Sequence, residues 1–208
     1  MGIEQFDFSF FFNYSIHASI SNKNSLIELS SDFAIPIQTH SNNIKFVEKC
    51  GIYEDVDGLI SSKKYQVPLS IKVADCVPIY VYDIKKEYYG LIHSGWRGTR
   101  NKIISKALNV FINEMGSNSN DIFIVIGPHI QKCCYEIDWD VAQYFSYVYK
   151  KNDKWLLDLS KEIKSDILKF DIPIAHIYIS NICTYESMIC ESFRRDGLKS
   201  KRMIGIIK

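Results

Sequence analysis

The chain has 208 residues, and its 25 basic side chains nearly balance 24 acidic ones, which leaves a formal net charge of +1. This balance excludes a general electrostatic attraction to nucleic acid or to an anionic membrane. Hydrophobic residues make up 47% of the sequence and aromatic residues 13%, which is typical of a compact protein rather than a disordered one. We therefore expect small molecules as partners.

The N-terminal stretch, residues 1–15, has an apolar patch but lacks a preceding basic region and a small-residue cleavage site, so we do not expect it to act as a signal peptide. No apolar run reaches the roughly 18 residues that a membrane-spanning helix needs. Six cysteines are scattered through the chain, which favours reduced thiols in a cytoplasm over a disulfide framework. We predict a soluble, cytoplasmic protein.

The first part of the chain predicts short strands separated by polar turns. Residues 5–20, rich in Phe and Tyr, form either an edge strand or a poorly ordered segment. Strands are predicted over residues 33–38 and 44–49. The polar turn between them, residues 39–43, exposes His40.

The central stretch, residues 68–101, is the most informative. Three segments rich in β-branched and aromatic residues are predicted as strands: 70–74, 77–82 and 88–92. Asp75 and Cys76 lie at a break between the first two, which we expect to pair, and Pro78 marks the irregularity because proline cannot donate to a central ladder. His93 ends the third strand, where binding residues commonly gather.

Helical periodicity appears in the second half. Apolar residues spaced on one face predict an amphipathic helix over 103–115 that stops at Gly116. The remaining predicted elements are a strand at 121–126, helices at 138–149 and 158–169, a strand at 174–179, a helix at 185–192 and a strand at 203–207. Because hairpins dominate the middle and no regular βαβ cadence appears, we predict an α+β fold with mixed or antiparallel sheets covered by helices. The sequence contains no linker, so residues 1–208 are predicted to form a single domain.

Three residues at strand ends or in loops could bind a metal: His40, Cys76 and His93. Two imidazoles and one thiolate form a catalytic zinc set whose open fourth position would hold a water. The spacing is long and irregular, so the residues alone leave alternatives open. His40 could be a surface residue and Cys76 a buried thiol, or Cys76 could be a nucleophile with a histidine base.

Other polar residues have both a chemical and a structural interpretation. Asp75 would face away from Cys76 in a regular strand, so only an irregular backbone brings both to one site; otherwise it stabilises a turn. Arg97, before a helix and between glycines, could meet an anion or be solvated. Tyr135 follows a strand and could reach a cleft. The segment 194–197 is interpreted as a turn with local ion pairing.

Several motifs occur in an order that identifies a family. The most specific are Ala74-Asp75-Cys76-Val77-Pro78 and His93-Ser94-Gly95-Trp96-Arg97-Gly98. They are joined by Gln38-Thr39-His40-Ser41 and by segments 57–61, 127–137, 183–184 and 192–197. From about residue 33 to the C-terminus the chain therefore resembles the YfiH/YlmD family, labelled "laccase domain" or polyphenol oxidase and also described as purine nucleoside phosphorylase. Residues 1–32 are an atypical, shortened N-terminal segment by comparison.

The resemblance implies a layered α/β/β/α sandwich shared with bacterial toxin-type cysteine hydrolases. It implies zinc at His40, Cys76 and His93, with copper less favoured because only one His/Cys/His set is evident. It also implies phosphorolysis of adenosine, inosine, guanosine and methylthioadenosine, together with adenosine deamination. The partners are then a nucleoside and phosphate, with neither nucleic acid nor membrane involved.

Within this hypothesis Asp75 and Arg97 are catalytic. Asp75 would carry the proton during deamination, and Arg97 would hold phosphate during phosphorolysis. Substrate binding is assigned to Gln38, Arg97 and Tyr135. Three alternatives stay open: a cysteine-type amide hydrolase that edits peptidoglycan precursors, with Cys76 as nucleophile and His93 as base; a copper-dependent polyphenol oxidase; and a non-catalytic binder of a metal or a nucleoside.

Overall fold

The computed structural model describes residues 5–25 and 27–208. In chain order, the strands are β1 Gln5–Asp7, β2 Ala18–Ser21, β3 Ala34–Pro36, β4 Ile44–Phe46, β5 Gly51–Tyr53, β6 Gly58–Ser62, β7 Leu69–Val73, β8 Val77–Asp83, β9 Tyr88–Ser94, β10 Ile122–Ile126, β11 Glu136–Ile137, β12 Val148–Lys151, β13 Lys154–Leu157, β14 Ile177–Ile179 and β15 Met203–Ile207. The α-helices are α1 Trp96–Arg100, α2 Ile103–Asn109, α3 Trp139–Ala142, α4 Leu159–Leu168 and α5 Phe193–Asp196. Single 3₁₀ turns span Ser9–Phe12, Lys63–Tyr65, Ser119–Asp121, Ile174–His176 and Gly197–Lys199, and a π-helical turn spans Val110–Glu114. Over these described ranges, none of the helices combines the length and the apolar character needed to cross a bilayer.

Two six-stranded sheets, both with parallel and antiparallel pairs, form the body of the molecule. The first sheet has the order β1-β2-β15-β7-β3-β5, and the second has the order β14-β10-β8-β9-β6-β4. A small antiparallel sheet, β11-β13-β12, lies beside them. The fold is therefore α+β with layered mixed sheets, as the sequence predicts.

The alternation of side chains along β8 shows how the layers pack. Tyr80 and Tyr82 point into the core between the two sheets, while Ile79 and Val81 belong to a second core beneath the helices. The first core also contains Ile71 from the first sheet. The second core includes apolar residues of both α2 and α4. The second sheet is thus buried on both faces.

Several connections between the two sheets lie at the same end of the sandwich. Strands β3, β5 and β7 run parallel in the first sheet, and each is followed by a strand of the second sheet, β4, β6 or β8. Their carboxyl ends therefore lie at the same edge. Strand β9 is antiparallel to both β6 and β8 and ends at this edge too. The residues that follow β3, β5 and β7 are therefore close to one another and to the last residues of β9.

Most of the predicted elements are observed. The three central strands correspond to β7, β8 and β9, and the helix predicted over 158–169 is α4. The helix predicted over 103–115 is α2, extended by the π-helical turn to Glu114. Gly116 follows with a left-handed φ of 68°, which glycine adopts without steric cost.

Some expectations were wrong for identifiable reasons. Strands β7 and β8 do not pair, because the elbow between them carries the chain from one sheet to the other. Residues 138–149 are helical only over α3 and then enter the β12–β13 hairpin. Residues 185–192 form turns instead of a helix, since the guanidinium of Arg195 binds the carbonyl oxygens of Tyr185, Ser187 and Cys190. The aromatic N-terminal segment is ordered, with β1 at the sheet edge.

Candidate active site

His40, Cys76 and His93 meet at the end of the sandwich where the chain crosses between the sheets. His40 lies in the β3–β4 loop with a left-handed φ of 59°, and Cys76 follows Asp75, whose φ is 78°. One donor atom from each of the three residues lies within 4.8 Å of the other two. The Cys76 Sγ is 3.9 Å from the His40 Nε2.

A single buried carboxylate, Asp57, holds this arrangement in place. It accepts a hydrogen bond from the His93 Nδ1 at 2.8 Å. It also accepts from the backbone N–H groups of Thr39, His40 and Ser41, at 3.2, 3.1 and 2.7 Å. Asp57 thus orients one imidazole directly and fixes the loop that carries the other.

Gly95 leaves room for two of the three metal-binding side chains. A Cβ atom at this position would lie 2.9 Å from the Cys76 Sγ and 3.2 Å from the His40 Cδ2. Any larger residue would therefore displace Cys76 or His40. The first glycine of the His-Ser-Gly-Trp-Arg-Gly motif, Gly95, is therefore required because there is no space for a side chain at this position.

The three ionisable groups of the site shift one another's pKa values. Burial raises the pKa of the Cys76 thiol, but hydrogen bonds from His40 and His93 outweigh it and lower the pKa to about 6. Burial lowers the pKa of His93, but Asp57 and Cys76 raise it to about 9. Burial raises the pKa of Asp57, but hydrogen bonds from His93 and Ser41 bring it down to about 2. The site favours a thiolate and an ionised carboxylate around the histidines.

A cleft of about 580 Å³ opens onto these residues. The three metal-binding residues line it, and so do three cationic side chains, Lys72, Arg194 and Arg202. Two aromatic side chains, Tyr135 and Phe193, also face it. The Arg194 guanidinium lies 5.2 Å from the centre of the Tyr135 ring. The cleft therefore combines metal ligands, positive charge and aromatic surface.

Asp75 lines the cleft, and its left-handed φ of 78° is the irregular backbone that brings Asp75 and Cys76 to the same site. Its carboxylate is nearly buried and engaged on both oxygens. Oδ1 accepts a hydrogen bond from the Thr184 hydroxyl at 2.7 Å, and Oδ2 accepts one from the backbone N–H of Arg194 at 2.6 Å. Asp75 thus fastens the C-terminal segment to the elbow beside Cys76.

The residues expected to bind substrate lie in different settings. Gln38 lines the cleft, but its amide group is bonded at both ends to the backbone of Lys72, at 2.9 and 2.8 Å. Tyr135 lines the cleft, and burial raises the pKa of its hydroxyl. Arg97 is exposed, and its guanidinium lies 4.3 Å from the centre of the Trp96 ring. Arg97 does not line this cleft, although its charge acts to lower the pKa of Tyr135.

Several residues of the site were not identified from the sequence. Asp57 appeared only as the first residue of the segment 57–61 and was given no role of its own, and Lys72 and Arg202 were not assigned to the site. The segment 194–197 was interpreted as a turn with local ion pairing. The ion pair is observed between Arg195 and Asp196 at 2.8 Å, but residues 194–196 belong to the helix α5 and not to a turn. Arg194 instead extends into the cleft wall, where its NH1 group donates to the Glu136 carbonyl oxygen at 2.8 Å.

The chemistry of the three-residue set fits a zinc ion. Two imidazole nitrogens and one thiolate are ligands that zinc prefers, and three protein ligands leave a fourth position for water or substrate. The Nδ1 of His93 is bonded to Asp57, so its Nε2 is left for the metal, as in carboxylate–histidine–zinc arrangements.

Comparison with known proteins gives consistent matches. Residues 15–208 match the model of a family described as multi-copper polyphenol oxidoreductase laccase. A protein from Borreliella burgdorferi named purine nucleoside phosphorylase is 39% identical over 169 residues, which cover 76% of this chain and 72% of that protein. Purine nucleoside phosphorylase YlmD from Bacillus subtilis is 30% identical over 190 residues, covering 82% and 68%.

The fold also matches a solved structure. The crystal structure of the hypothetical protein YfiH from Bacillus licheniformis superposes with a TM-score of 0.85 at 25% sequence identity. The match covers 93% of this chain and 92% of that one. The arrangement of the two sheets is therefore shared over nearly the whole chain.

Proposed function

Because the chain belongs to the multi-copper polyphenol oxidoreductase laccase family, whose relatives above are named purine nucleoside phosphorylases, we propose that it is a zinc-dependent purine nucleoside phosphorylase. The proposed substrates are adenosine, inosine, guanosine and methylthioadenosine, each with inorganic phosphate. The observation that carries the proposal is the His40, Cys76 and His93 set lining a cleft that also holds three cationic side chains.

The lining of the cleft suits both substrates. Arginine and lysine groups bind phosphate oxygens through charge-assisted hydrogen bonds, and Lys72, Arg194 and Arg202 supply three such groups. The rings of Tyr135 and Phe193 offer flat apolar surface for a purine base. We assign phosphate to the three cations and the base to the two aromatic rings.

A zinc ion held by His40, Cys76 and His93 would supply a Lewis acid that polarises a bound oxygen. Two hydrogen bonds position Arg194 for phosphate binding. Its backbone N–H donates to the Asp75 carboxylate, and its guanidinium donates to the Glu136 carbonyl oxygen. Gln38 then acts by positioning the backbone of Lys72.

Asp75 is the proposed proton carrier, because its carboxylate borders the cleft and each oxygen keeps a lone pair beyond the bond that it accepts. This assignment covers the proposed accompanying deamination of adenosine. Arg97 is proposed to attract phosphate towards the cleft, since its charge reaches Tyr135.

The test is release of hypoxanthine and ribose 1-phosphate from inosine by zinc-saturated protein, with and without phosphate. We expect turnover only with phosphate, and loss of turnover in Cys76→Ala. Replacing Arg202 by Met should raise the KM for phosphate about 10- to 100-fold, the effect of losing one charge-assisted hydrogen bond. Arg100→Met, an exposed arginine stacked on Tyr144, is the matched control. Zinc-saturated protein that leaves all four nucleosides intact would refute the proposal.

A cysteine-type amide hydrolase is the second candidate, and the lowered pKa of Cys76 beside His93 favours it. Under this alternative, metal-free protein is active and forms a covalent adduct at Cys76. Strict dependence on added zinc would exclude it. A copper oxidase would instead consume oxygen with a phenol after copper loading, which the same preparations can test.

A further inference from the structure

A second group of metal-binding side chains lies outside the cleft lining. Cys133, Cys134, Cys183 and Glu186 each place one donor atom within 4.8 Å of the other three. The two adjacent thiols are 3.3 Å apart. Among residues 5–25 and 27–208, this group and the His40 set are the two that could hold a metal ion.

Both turns that carry these residues are held by hydrogen bonds of their own. In the first turn, the N–H groups of Cys134 and Tyr135 donate to the Gln131 carbonyl oxygen at 3.0 and 2.9 Å. In the second turn, the Ser187 N–H donates to the Cys183 carbonyl oxygen at 2.9 Å. The four donors are therefore brought together by the fold before any ion binds.

Contacts between the turns fix their relative position. His129 and Cys183 form a parallel β-bridge, and the Thr184 N–H donates to the His129 carbonyl oxygen at 3.1 Å. The guanidinium of Arg195 binds the carbonyl oxygens of Thr184 and Tyr185 at 2.9 and 3.0 Å, which stiffens the second turn further.

The donor chemistry selects the ion. Thiolates bind zinc and other soft ions in preference to magnesium or calcium, and four protein ligands are typical of structural zinc sites. Zinc–sulfur bonds of about 2.3 Å in a tetrahedron set the donor atoms about 3.8 Å apart. The sulfur atoms of Cys133 and Cys134 are 3.3 Å apart, and no two of the four donor atoms are more than 4.8 Å apart, so the donors already lie near this spacing.

We propose that Cys133, Cys134, Cys183 and Glu186 form a second, structural zinc site, and this proposal does not rest on the proposed nucleoside activity. Its four protein ligands leave no position for substrate, in contrast to the three ligands of the His40 set. Cys133 and Glu186 are exposed, so the ion can enter from solvent and displace the thiol protons.

This zinc joins two segments that carry cleft residues. Tyr135, which lines the cleft, follows Cys134 directly. Thr184, which follows Cys183, donates its hydroxyl hydrogen bond to Asp75 beside Cys76. The zinc at the second site therefore stiffens the cleft wall without contacting a substrate.

The experiment measures zinc bound per chain in protein purified under reducing conditions without a metal-binding tag. Wild type is expected to bind two zinc ions, Cys76→Ala one, and the double variant Cys76→Ala/Cys183→Ser none. Cobalt added to metal-free Cys76→Ala should give thiolate-to-cobalt charge-transfer absorption that disappears in the double variant. Cys76→Ala/Cys50→Ser is the control, because Cys50 lies outside both groups, with its thiol 3.1 Å from the Asp32 carbonyl oxygen.

A further variant tests the site without changing the buried Cys183, whose substitution could prevent folding. Glu186 is exposed, so Glu186→Gln in the Cys76→Ala background should keep the wild-type circular dichroism spectrum and weaken zinc binding at least about tenfold. Zinc-saturated protein in which Cys133 and Cys134 still react freely with a thiol reagent would overturn the proposal. Recovery of these two residues as a disulfide that persists in reduced glutathione would also overturn it.

Discussion

Cys76 is surrounded by groups that stabilise its charged form. Two imidazoles face the sulfur, and one of them, His93, is itself held towards the cationic form by the buried carboxylate of Asp57. A thiolate is both the metal ligand and the nucleophile, so the same electrostatics serve zinc binding and covalent chemistry. Both candidate functions therefore require an ionised Cys76, and its ionisation can be measured.

In metal-free protein, we expect the rate of Cys76 alkylation by iodoacetamide to rise with pH through about 6 and to level off above it, because the thiol pKa lies at about 6 instead of 9.0. Peptide mapping by mass spectrometry separates this thiol from the others. Cys133 is the internal control, since burial raises its pKa and its alkylation should increase only at higher pH. A Cys76 rate that keeps climbing beyond pH 8 would contradict the assignment of the two histidines as its partners.

At the scale of elements, the β3–β4 loop is shaped by a residue outside it. The loop has no regular structure, and His40 within it adopts a left-handed φ. Asp57, which follows β5, binds three consecutive N–H groups of the loop and the ring of His93. One carboxylate on the β5–β6 crossing thus joins the β3–β4 crossing to the end of β9.

Replacing Asp57 by Asn should lower zinc affinity about 10- to 100-fold, because the new amide cannot accept all of these hydrogen bonds. It should also lower the free energy of unfolding by about 3–5 kcal/mol, since His93 loses its buried partner. Chelator competition and urea unfolding measure the two effects. The matched control is Asp55→Asn, an exposed carboxylate of the neighbouring turn that binds the Thr39 hydroxyl at 2.5 Å.

The stability effect has a defined pH dependence. The folded-state pKa of Asp57, about 2, lies below its ordinary value of 3.8, so the stability that comes from ionised Asp57 is present above about pH 4 and is lost as the pH falls towards 2. The difference in stability between wild type and Asp57→Asn should therefore narrow in acid. A difference that stays constant down to pH 2 would show that Asp57 is not ionised in the folded protein.

Local sequence signals predicted the elements that rely on local periodicity. The helix α4 and the strands β7, β8 and β9 have apolar patterns that are legible in the chain. The β12–β13 hairpin was missed although its two-residue turn, Asn152 and Asp153, is a local signal: Asn152 adopts a left-handed φ of 54°, as hairpin turns require.

The same distinction applies to the candidate site. His40, Cys76 and His93 were identified because their residue types suggest metal binding. Asp57 was not, because its partners are backbone groups 16 to 18 positions away. The direction of Arg194 likewise depends on its backbone bond to Asp75, which is 119 positions distant. Residue type gives candidates, and tertiary contacts decide their roles.

At the scale of the whole molecule, the site depends on how the two sheets are held together. His40 and Cys76 lie on connections between the sheets, and His93 lies at the end of β9 in the second sheet, so any sliding of one sheet against the other would separate them. The Tyr80 hydroxyl on β8 donates to the Ser19 carbonyl oxygen on β2 at 2.8 Å, across the core. The aromatic N-terminal segment packs in the same region, with the Phe8 and Tyr80 rings 5.5 Å apart.

Substitution of Phe12 tests whether the N-terminal segment is part of the core between the sheets. Its side chain is fully buried and meets the Tyr82 ring edge to face at 5.9 Å. Phe12→Ala should lower the free energy of unfolding in urea by about 3–5 kcal/mol, the cost of a large cavity in a packed interior. Phe10→Ala is the matched control, because Phe10 is 46% exposed and contacts only the Tyr178 ring among the described aromatic side chains, at 5.7 Å. Phe10→Ala should lower the free energy of unfolding by only about 1 kcal/mol.

Because neither phenylalanine contacts a metal-binding residue, zinc bound per folded chain should be unchanged in both variants. Equal destabilisation by the two substitutions would mean that the segment covers the sheets without joining their core.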